Sequence, residues 1–223
     1  MNHIRKVLRL RCGDSITVCD GESRDYTVQI QAVESDRVVT EITGVKPNGS
    51  EPPIGVALFQ GIPKSDKMDF IIQKSVELGI DTIVPVSTER TVVRIDNRKD
   101  AEAKTVRWQR IALEAAKQCN RGRIPRVLPP MGFRNALELS SGYDLGLIPY
   151  EKEAGNRLEN YLHKDHLKSI CVFIGPEGGY SEAEIDQAIS AGIIPVSLGP
   201  RILRTETAGI MVLSILIYTL GDL

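Results

Sequence analysis

Apolar and polar positions along the chain change rhythm near residue 50. Before that point, short β-branched runs at residues 15–19, 26–33 and 37–42 are separated by turn signals such as Asp20 and Gly21. Runs of this kind predict a small barrel or sandwich of hairpins. Residues 46–53 hold three prolines and a glycine and read as a linker, which sets one domain at residues 1–50 and a second at 54–223. Beyond the linker, compact apolar runs predict strands at 54–60, 82–86, 169–174 and 194–198, with short ones near 126–128 and 145–148. Between them lie helical patterns. Residues 66–78 put Met68, Ile71, Ile72, Ser75 and Val76 on one face, with Gly79 as the stop; residues 101–118 do the same with Trp108, Ile111, Ala112, Ala115 and Ala116. Further helices are predicted around 156–162, from a Ser181/Glu184 capping box to Gly192, and over 206–220. Strand and helix in alternation imply an α/β fold, a parallel sheet covered on both faces. The unbroken apolar run 169–174 suits a strand buried on both sides.

Charge qualifies this picture. Lys and Arg number 28 against 29 Asp and Glu, a net charge of -1, which weighs against a uniformly basic nucleic-acid binder. The distribution is uneven, however. Residues 3–11 carry Arg5, Lys6, Arg9 and Arg11 with no acidic residue, and Arg121, Arg123 and Arg126 form a second cluster. Folding that united them would make a phosphate-binding face. Cys12, Cys19, Cys119 and Cys171 have neither metal-site nor disulfide-framework spacing and read as free thiols in a reducing compartment. His163 and His166 read as surface residues with no metal role, and Trp108 as core. The charged start excludes a signal peptide, and the apolar stretch 210–220 is far shorter than the about 20 residues of a membrane span. It reads as a core or interface helix of a soluble, cytoplasmic protein.

The candidate chemistry lies where the predicted strands end, since parallel sheets bind ligands beyond their carboxyl edges. Residues 174–181 read IGPEGGYS, a tight loop that lets backbone approach a ligand. Residues 197–208 read SLGPRILRTETA, a second Gly-Pro loop carrying Arg204, Glu206 and two threonines that could also cap the following helix. A third strand end, Leu147 to Tyr150, carries Pro149. No GxGxxG or GxxxxGK[ST] is present, so a nicotinamide or ATP site is unsupported. A neutral, backbone-lined pocket suits an adenosine ligand without a phosphate chain.

These two motifs, together with HIRKVLR at 3–9, the segment from Lys64 to Gly79 and Gln118 to Arg121, closely resemble the RsmE family of the SPOUT superfamily over nearly the whole chain. The resemblance implies a PUA-like β-barrel at residues 1–50, RNA-binding, followed by a SPOUT methyltransferase domain with a deep trefoil knot at 54–223. Relatives usually carry another strand before the HIRKVLR segment; here Met1 falls almost on it, so a barrel lacking its first strand is expected. The implied cofactor is S-adenosylmethionine, held by Leu147, Pro149, Ile174, Gly175, Glu177, Gly178, Gly179, Leu198, Gly199, Ile202, Leu203, Thr207 and Ala208. The implied reaction is methylation of N3 of a uridine, uridine 1498 of 16S ribosomal RNA, in the small ribosomal subunit. A homodimer is also implied, with the last helix at its interface.

Within that reading Arg204 would stabilise the uridine anion and Glu206 would accept the imide proton or orient Arg204. The bland alternative is an Arg204–Glu206 ion pair that only shapes the loop. RNA contacts would come from Arg5, Lys6, Arg9, Arg11, Lys64, Arg90, Arg121 and Arg123. Three other functions stay open: a SPOUT methyltransferase acting on another RNA, a non-catalytic RNA-binding or ribosome-assembly protein of the same fold, and a dinucleotide-dependent oxidoreductase.

Overall fold

A computed structural model describes residues 8–95, 97–162 and 166–222. Arg5, Lys6, His163 and most of the HIRKVLR segment lie outside the described residues. The chain divides into two units, one formed by the residues up to Glu51 together with Asn120–Ile124, the other by Pro52–Cys119 and Pro125–Leu223.

The first unit is antiparallel. Strands β1 (Ser15–Cys19), β2 (Arg24–Val33) and β3 (Val38–Pro47) pair in chain order. Asp20 closes the first hairpin: its Oδ1 accepts from the Glu22 and Arg24 N–H groups at 2.7 and 3.2 Å. Among the described residues the expected barrel or sandwich is this three-stranded sheet. The stretch read as a linker is not slack. β3 runs to Pro47, Asn48 Nδ2 donates to Asp25 at 3.0 Å, and Asn48 Oδ1 accepts from the Ser50 N–H. Turn-forming side chains made this segment look like a connection, and the same side chains order it by binding backbone. Residues Asn120–Ile124 join the unit through the Ser23 N–H, which donates to the Gly122 carbonyl at 2.8 Å, and through Arg121, which pairs with Glu51 at 2.6 Å.

The second unit is α/β. Its parallel sheet has the order β10 (Ile194–Val196), β8 (Leu145–Pro149), β9 (Ser169–Ile174), β4 (Gly55–Gly61), β5 (Thr82–Ser87), β6 (Arg126–Val127), with β7 (Met131–Gly132) also on β5. Helices α1 (Lys67–Glu77), α2 (Arg98–Gln118) and α5 (Thr205–Leu220) cover one face, against Val56, Leu58, Leu147 and Val172; α3 (Phe133–Ser140) and α4 (Glu182–Ser190) cover the other, against Phe59, Val84, Ile148 and Phe173. Successive residues of β4 and β9 thus face opposite cores, which is why both read as continuous apolar runs.

On α1, Met68, Ile71, Ile72, Ser75 and Val76 are the buried face, as the periodicity predicts. On α2, Trp108, Ala112, Ala115 and Ala116 are buried, and the helix begins three residues before the predicted start, where the Asn97 side chain accepts from the Asp100 N–H. The Ser181/Glu184 capping box is present. Two readings are corrected. Residues 156–162 form only a 3-10 turn at Leu158–Tyr161, anchored by buried Leu158 and Leu162 with Tyr161 half-buried against the same core. Helix α3, not foreseen, carries Phe133, Ala136, Leu137 and Ser140 at helical spacing. Among the described residues no helix is long and apolar enough to cross a membrane, and all four cysteines are free.

Candidate functional site

Strands β10, β8, β9 and β4 are neighbours, so their carboxyl ends form one continuous edge. Leu147 is fully buried, and Pro149 lies opposite Val196 at the end of β8. The Tyr150 N–H donates to the Val196 carbonyl at 3.0 Å and carries the chain on to Glu151.

Ile174, 2% exposed, ends β9 and the glycine loop begins. A Cβ on Gly175 would stand 3.1 Å from the Gly179 Cα and 3.3 Å from the Tyr180 ring, so the loop folds closely on itself and a side chain there would make its neighbours give by a few tenths of an ångström. Gly179, at φ +65°, lies with the Glu151 carboxylate beside it, and its N–H donates to the Pro176 carbonyl at 2.9 Å. Gly178 packs on Arg90, whose Nη1 donates to the Gly178 carbonyl at 2.8 Å. Glu177 accepts from the Lys64 N–H at 3.1 Å and from Lys67 Nζ at 2.9 Å. Burial pushes the Glu177 carboxyl up, but Lys67 and the backbone donors outweigh it and hold the group below its ordinary range.

The last loop leaves the sheet edge after Val196 and returns to the glycine loop. Gly199 turns at φ +96°. Arg204 is exposed at the N-cap of α5, Thr205 is 5% exposed, Glu206 is in the first turn, and Thr207 and Ala208 follow on it. The Thr205 hydroxyl donates to the Gly175 carbonyl at 2.6 Å and accepts from Gln60 Nε2 at 2.8 Å. Glu206 pairs with Lys67 at 3.4 Å. The suspected Arg204–Glu206 pair is therefore not the one found: Lys67, from α1, stands between Glu206 and Glu177. The hydrogen bond that Lys67 donates to Glu177, together with Glu206, raises its ammonium above the ordinary 10.5.

Beside this junction is a cavity of about 720 Å³ lined by Leu158, Leu198, Gly199, Pro200, Met211 and Ile215 and by charged Glu151, Glu153, Arg157, Glu159 and Arg201. Its volume is that of a small-molecule site. A neutral pocket was expected; this cavity carries three glutamates and two arginines, Glu151 and Glu153 from the connection after β8 and Glu159 from the 3-10 turn, where strand periodicity carries no information. Of the residues expected to hold a cofactor, Leu198 and Gly199 line the cavity, whereas Ile202 is 90% exposed and neither it nor Leu203 lines it. Among the described residues no group of three His, Cys, Asp or Glu side chains is placed to hold a metal ion.

The sequence pattern offered Thr205 only as a helix cap, whereas its hydroxyl goes to Gly175, and it assigned no role to Gln60, Lys67 or Glu151. Only Gln60 carried a signal, as a polar residue closing an apolar strand. It is fully buried, and its Oε1 has no hydrogen-bond partner among the described residues. Of the residues expected to bind RNA, Arg9, Arg11 and Arg123 are exposed in the first unit, and Lys64 and Arg90 are exposed in the second. Arg121 is corrected: its side chain is 5% exposed and committed to Glu51, so it serves as a buried ion pair rather than a phosphate contact.

Residues 50–217 match the RNA methyltransferase domain family, and residues 1–43 match the RNA methyltransferase PUA domain. The class of protein that the parallel sheet and its loops define is thus an RNA methyltransferase. A ribosomal RNA small subunit methyltransferase E from Bacillus subtilis is 35% identical over 98% of this chain and 87% of its own. One from Buchnera aphidicola of Acyrthosiphon pisum is 33% identical over 99% of this chain and 86% of its own. The crystal structure of the Neisseria gonorrhoeae enzyme of that name, bound to S-adenosyl methionine, is 37% identical with a TM-score of 0.86, covering 99% of this chain and 89% of that one. The chain belongs to the ribosomal RNA small subunit methyltransferase E family.

Proposed function

We propose that the protein methylates N3 of a uridine in the 16S ribosomal RNA of the small subunit, uridine 1498 by family resemblance, using S-adenosylmethionine. The observation that carries the reading is the meeting of the Gly175–Gly179 loop with the N-terminus of α5, which sets Arg204 and Glu206 beside a crowded glycine turn.

The site suits the cofactor. The loop closes tightly at Gly175, the cavity wall offers Leu198, Met211 and Ile215 to an adenosine, and Glu151, Glu153 and Glu159 outnumber Arg157 and Arg201 there, which suits a cation. Leu147, Pro149, Ile174, Gly175, Gly178, Gly179, Leu198, Gly199 and Ala208 would hold it, mostly through backbone. When bound, S-adenosylmethionine supplies an activated methyl group on a sulfonium. The protein's own task is to bring a weakly acidic imide into line and take its proton. Arg204, exposed at the helix start, would stabilise the anion at O2 or O4. Glu206 would receive the proton while Lys67 keeps it oriented. The return of residues 198–204 from the edge strand to Gly175 is consistent with a trefoil knot threaded here.

In this reading residues 1–50 form the RNA-binding PUA-like domain, with Arg9, Arg11 and Arg123 contributing phosphate contacts along with Lys64 and Arg90 of the second unit. Calorimetric titration with S-adenosylmethionine, then with NAD, tests the cofactor. Saturable binding of the first alone is expected. Binding of NAD instead would overturn the proposal. Tyr218, a large apolar side chain left 75% exposed on α5, favours a homodimer through that helix.

A further inference from the structure

The end of β4 belongs to neither conspicuous loop, yet it touches both. Gln60 lies between the sheet and α5 at 0% exposure. One of its amide hydrogens goes to the Gly61 carbonyl at 2.9 Å and the other to Thr205 Oγ1 at 2.8 Å. A carbonyl only accepts, so the nitrogen must face Gly61. The Thr205 hydroxyl has a single hydrogen, and it is given to the Gly175 carbonyl at 2.6 Å. The chain of donors therefore runs one way, from Gln60 to Thr205 to Gly175. The next residue makes a second, independent contact: a Cβ on Gly61 would stand 2.5 Å from Pro176 Cδ and 2.9 Å from the Gly175 carbonyl carbon. The Gln60–Gly61 dipeptide thus sits directly under the glycine loop while holding the first residue of α5.

A buried amide whose oxygen lacks a partner is a poor choice for stability. An unbranched apolar side chain would fill the same space without that cost. Thr205 stands between Arg204 and Glu206, so whatever fixes its hydroxyl fixes the start of the helix that presents both. We infer that Gln60 and Thr205 are positioning residues, a buried relay that sets the α5 N-terminus against the glycine loop, and so sets the proposed catalytic side chains against the bound methyl donor. The inference rests on the methyltransferase reading above. Gln60 and Thr205 touch neither substrate nor cofactor in it; they act through Arg204, Glu206 and Gly175.

The test compares Gln60→Met, Thr205→Val, Thr205→Ser and the Gln60→Met/Thr205→Val double variant with the wild type. Readouts are single-turnover methyl transfer to small ribosomal subunits, S-adenosylmethionine affinity, thermal midpoint, and hydrogen exchange in residues 174–179 and 204–209. Misplacement by about an ångström costs about 100-fold in rate. Gln60→Met and Thr205→Val should each lose about that much in rate, with less than about 10-fold change in cofactor affinity. Gln60→Met should melt no lower than the wild type, an outcome a merely structural glutamine would not give. Exchange should quicken in both segments together, Thr205→Ser should restore most of the rate, and the double variant should lose no more than either single one, because the two act in series. Near-normal rates in Gln60→Met or Thr205→Val would overturn the inference, as would additive losses or a serine variant as slow as the valine. A wild type that binds cofactor but methylates no RNA would overturn the underlying reading; unchanged exchange in the variants would overturn the relay itself.

Discussion

Three consecutive side chains at the start of α5 divide the work differently from what their order suggests. Arg204 is exposed, Thr205 is buried and tied to Gly175, and Glu206 turns back to Lys67. Replacing Glu206 by Gln should lower the rate about 100-fold, the scale of a missing proton acceptor, and leave cofactor affinity unchanged; near-normal turnover would show that another group takes the proton. The ammonium of Lys67 is raised by its bond to Glu177 and by Glu206. A raised cation is fully charged below its ordinary 10.5 and discharges only as the pH climbs through the raised value. Lys67 therefore stays charged across the neutral range, and a rise in rate there is not its titration. Lys67→Met removes the cation paired with Glu206 and should lower the rate throughout about pH 6 to 9; an unchanged rate would show that Lys67 does not orient Glu206. In the first unit, burial pushes Glu51 up, but Arg121 and the backbone donors outweigh it and hold it below its ordinary 4.5. Its contribution to stability is present above 4.5 and is lost as the pH falls through the depressed value. Arg121→Met leaves that carboxylate uncompensated and should cost about 3 kcal/mol, read by chemical denaturation near neutral pH, with the gap to wild type closing in acid.

At the scale of elements, what the sequence made legible was whatever repeats. The buried faces of α1 and α2 follow from spacing alone, and β9 from its unbroken apolar run. The capping box at Ser181 was readable because its two partners lie three residues apart. Helix α3 has just two turns, and its Phe133, Ala136 and Leu137 were too few to stand out between short strands. The site shows the same division. Its glycine loop and Arg-Thr-Glu segment were visible as local composition. By contrast, Lys67 meets Glu177 across 110 positions and Gln60 meets Thr205 across 145, which no local pattern encodes. Arg121 was misjudged for the same reason, since Glu51 lies 70 positions away. A prediction specific to the loop belongs here. Gly61→Ala would place a carbon 2.5 Å from Pro176, so the glycine loop must move, and S-adenosylmethionine affinity should fall at least about 10-fold, the scale on which a binding pocket responds to a one-carbon misfit. Unchanged affinity in calorimetry would mean that the loop yields without consequence.

For the whole molecule, a net charge of -1 concealed a local basic character. Of the two basic segments, far apart in the chain, Arg9 and Arg11 from one and Arg123 from the other are exposed in the first unit, whereas Arg126 belongs to the second. Replacing Arg9 and Arg123 by Ala should weaken binding to the small subunit and lower its salt slope by about one for each phosphate no longer neutralised, leaving cofactor affinity intact. The central claim is tested most directly by incubating the protein with S-adenosylmethionine and small ribosomal subunits that lack the modification, digesting the RNA to nucleosides and identifying the methylated product by mass spectrometry. N3-methyluridine, formed by the wild type and absent with Arg204→Ala, is the expected result. A methyl group on another base or on a ribose, or no methylation while the cofactor is bound, would contradict the account.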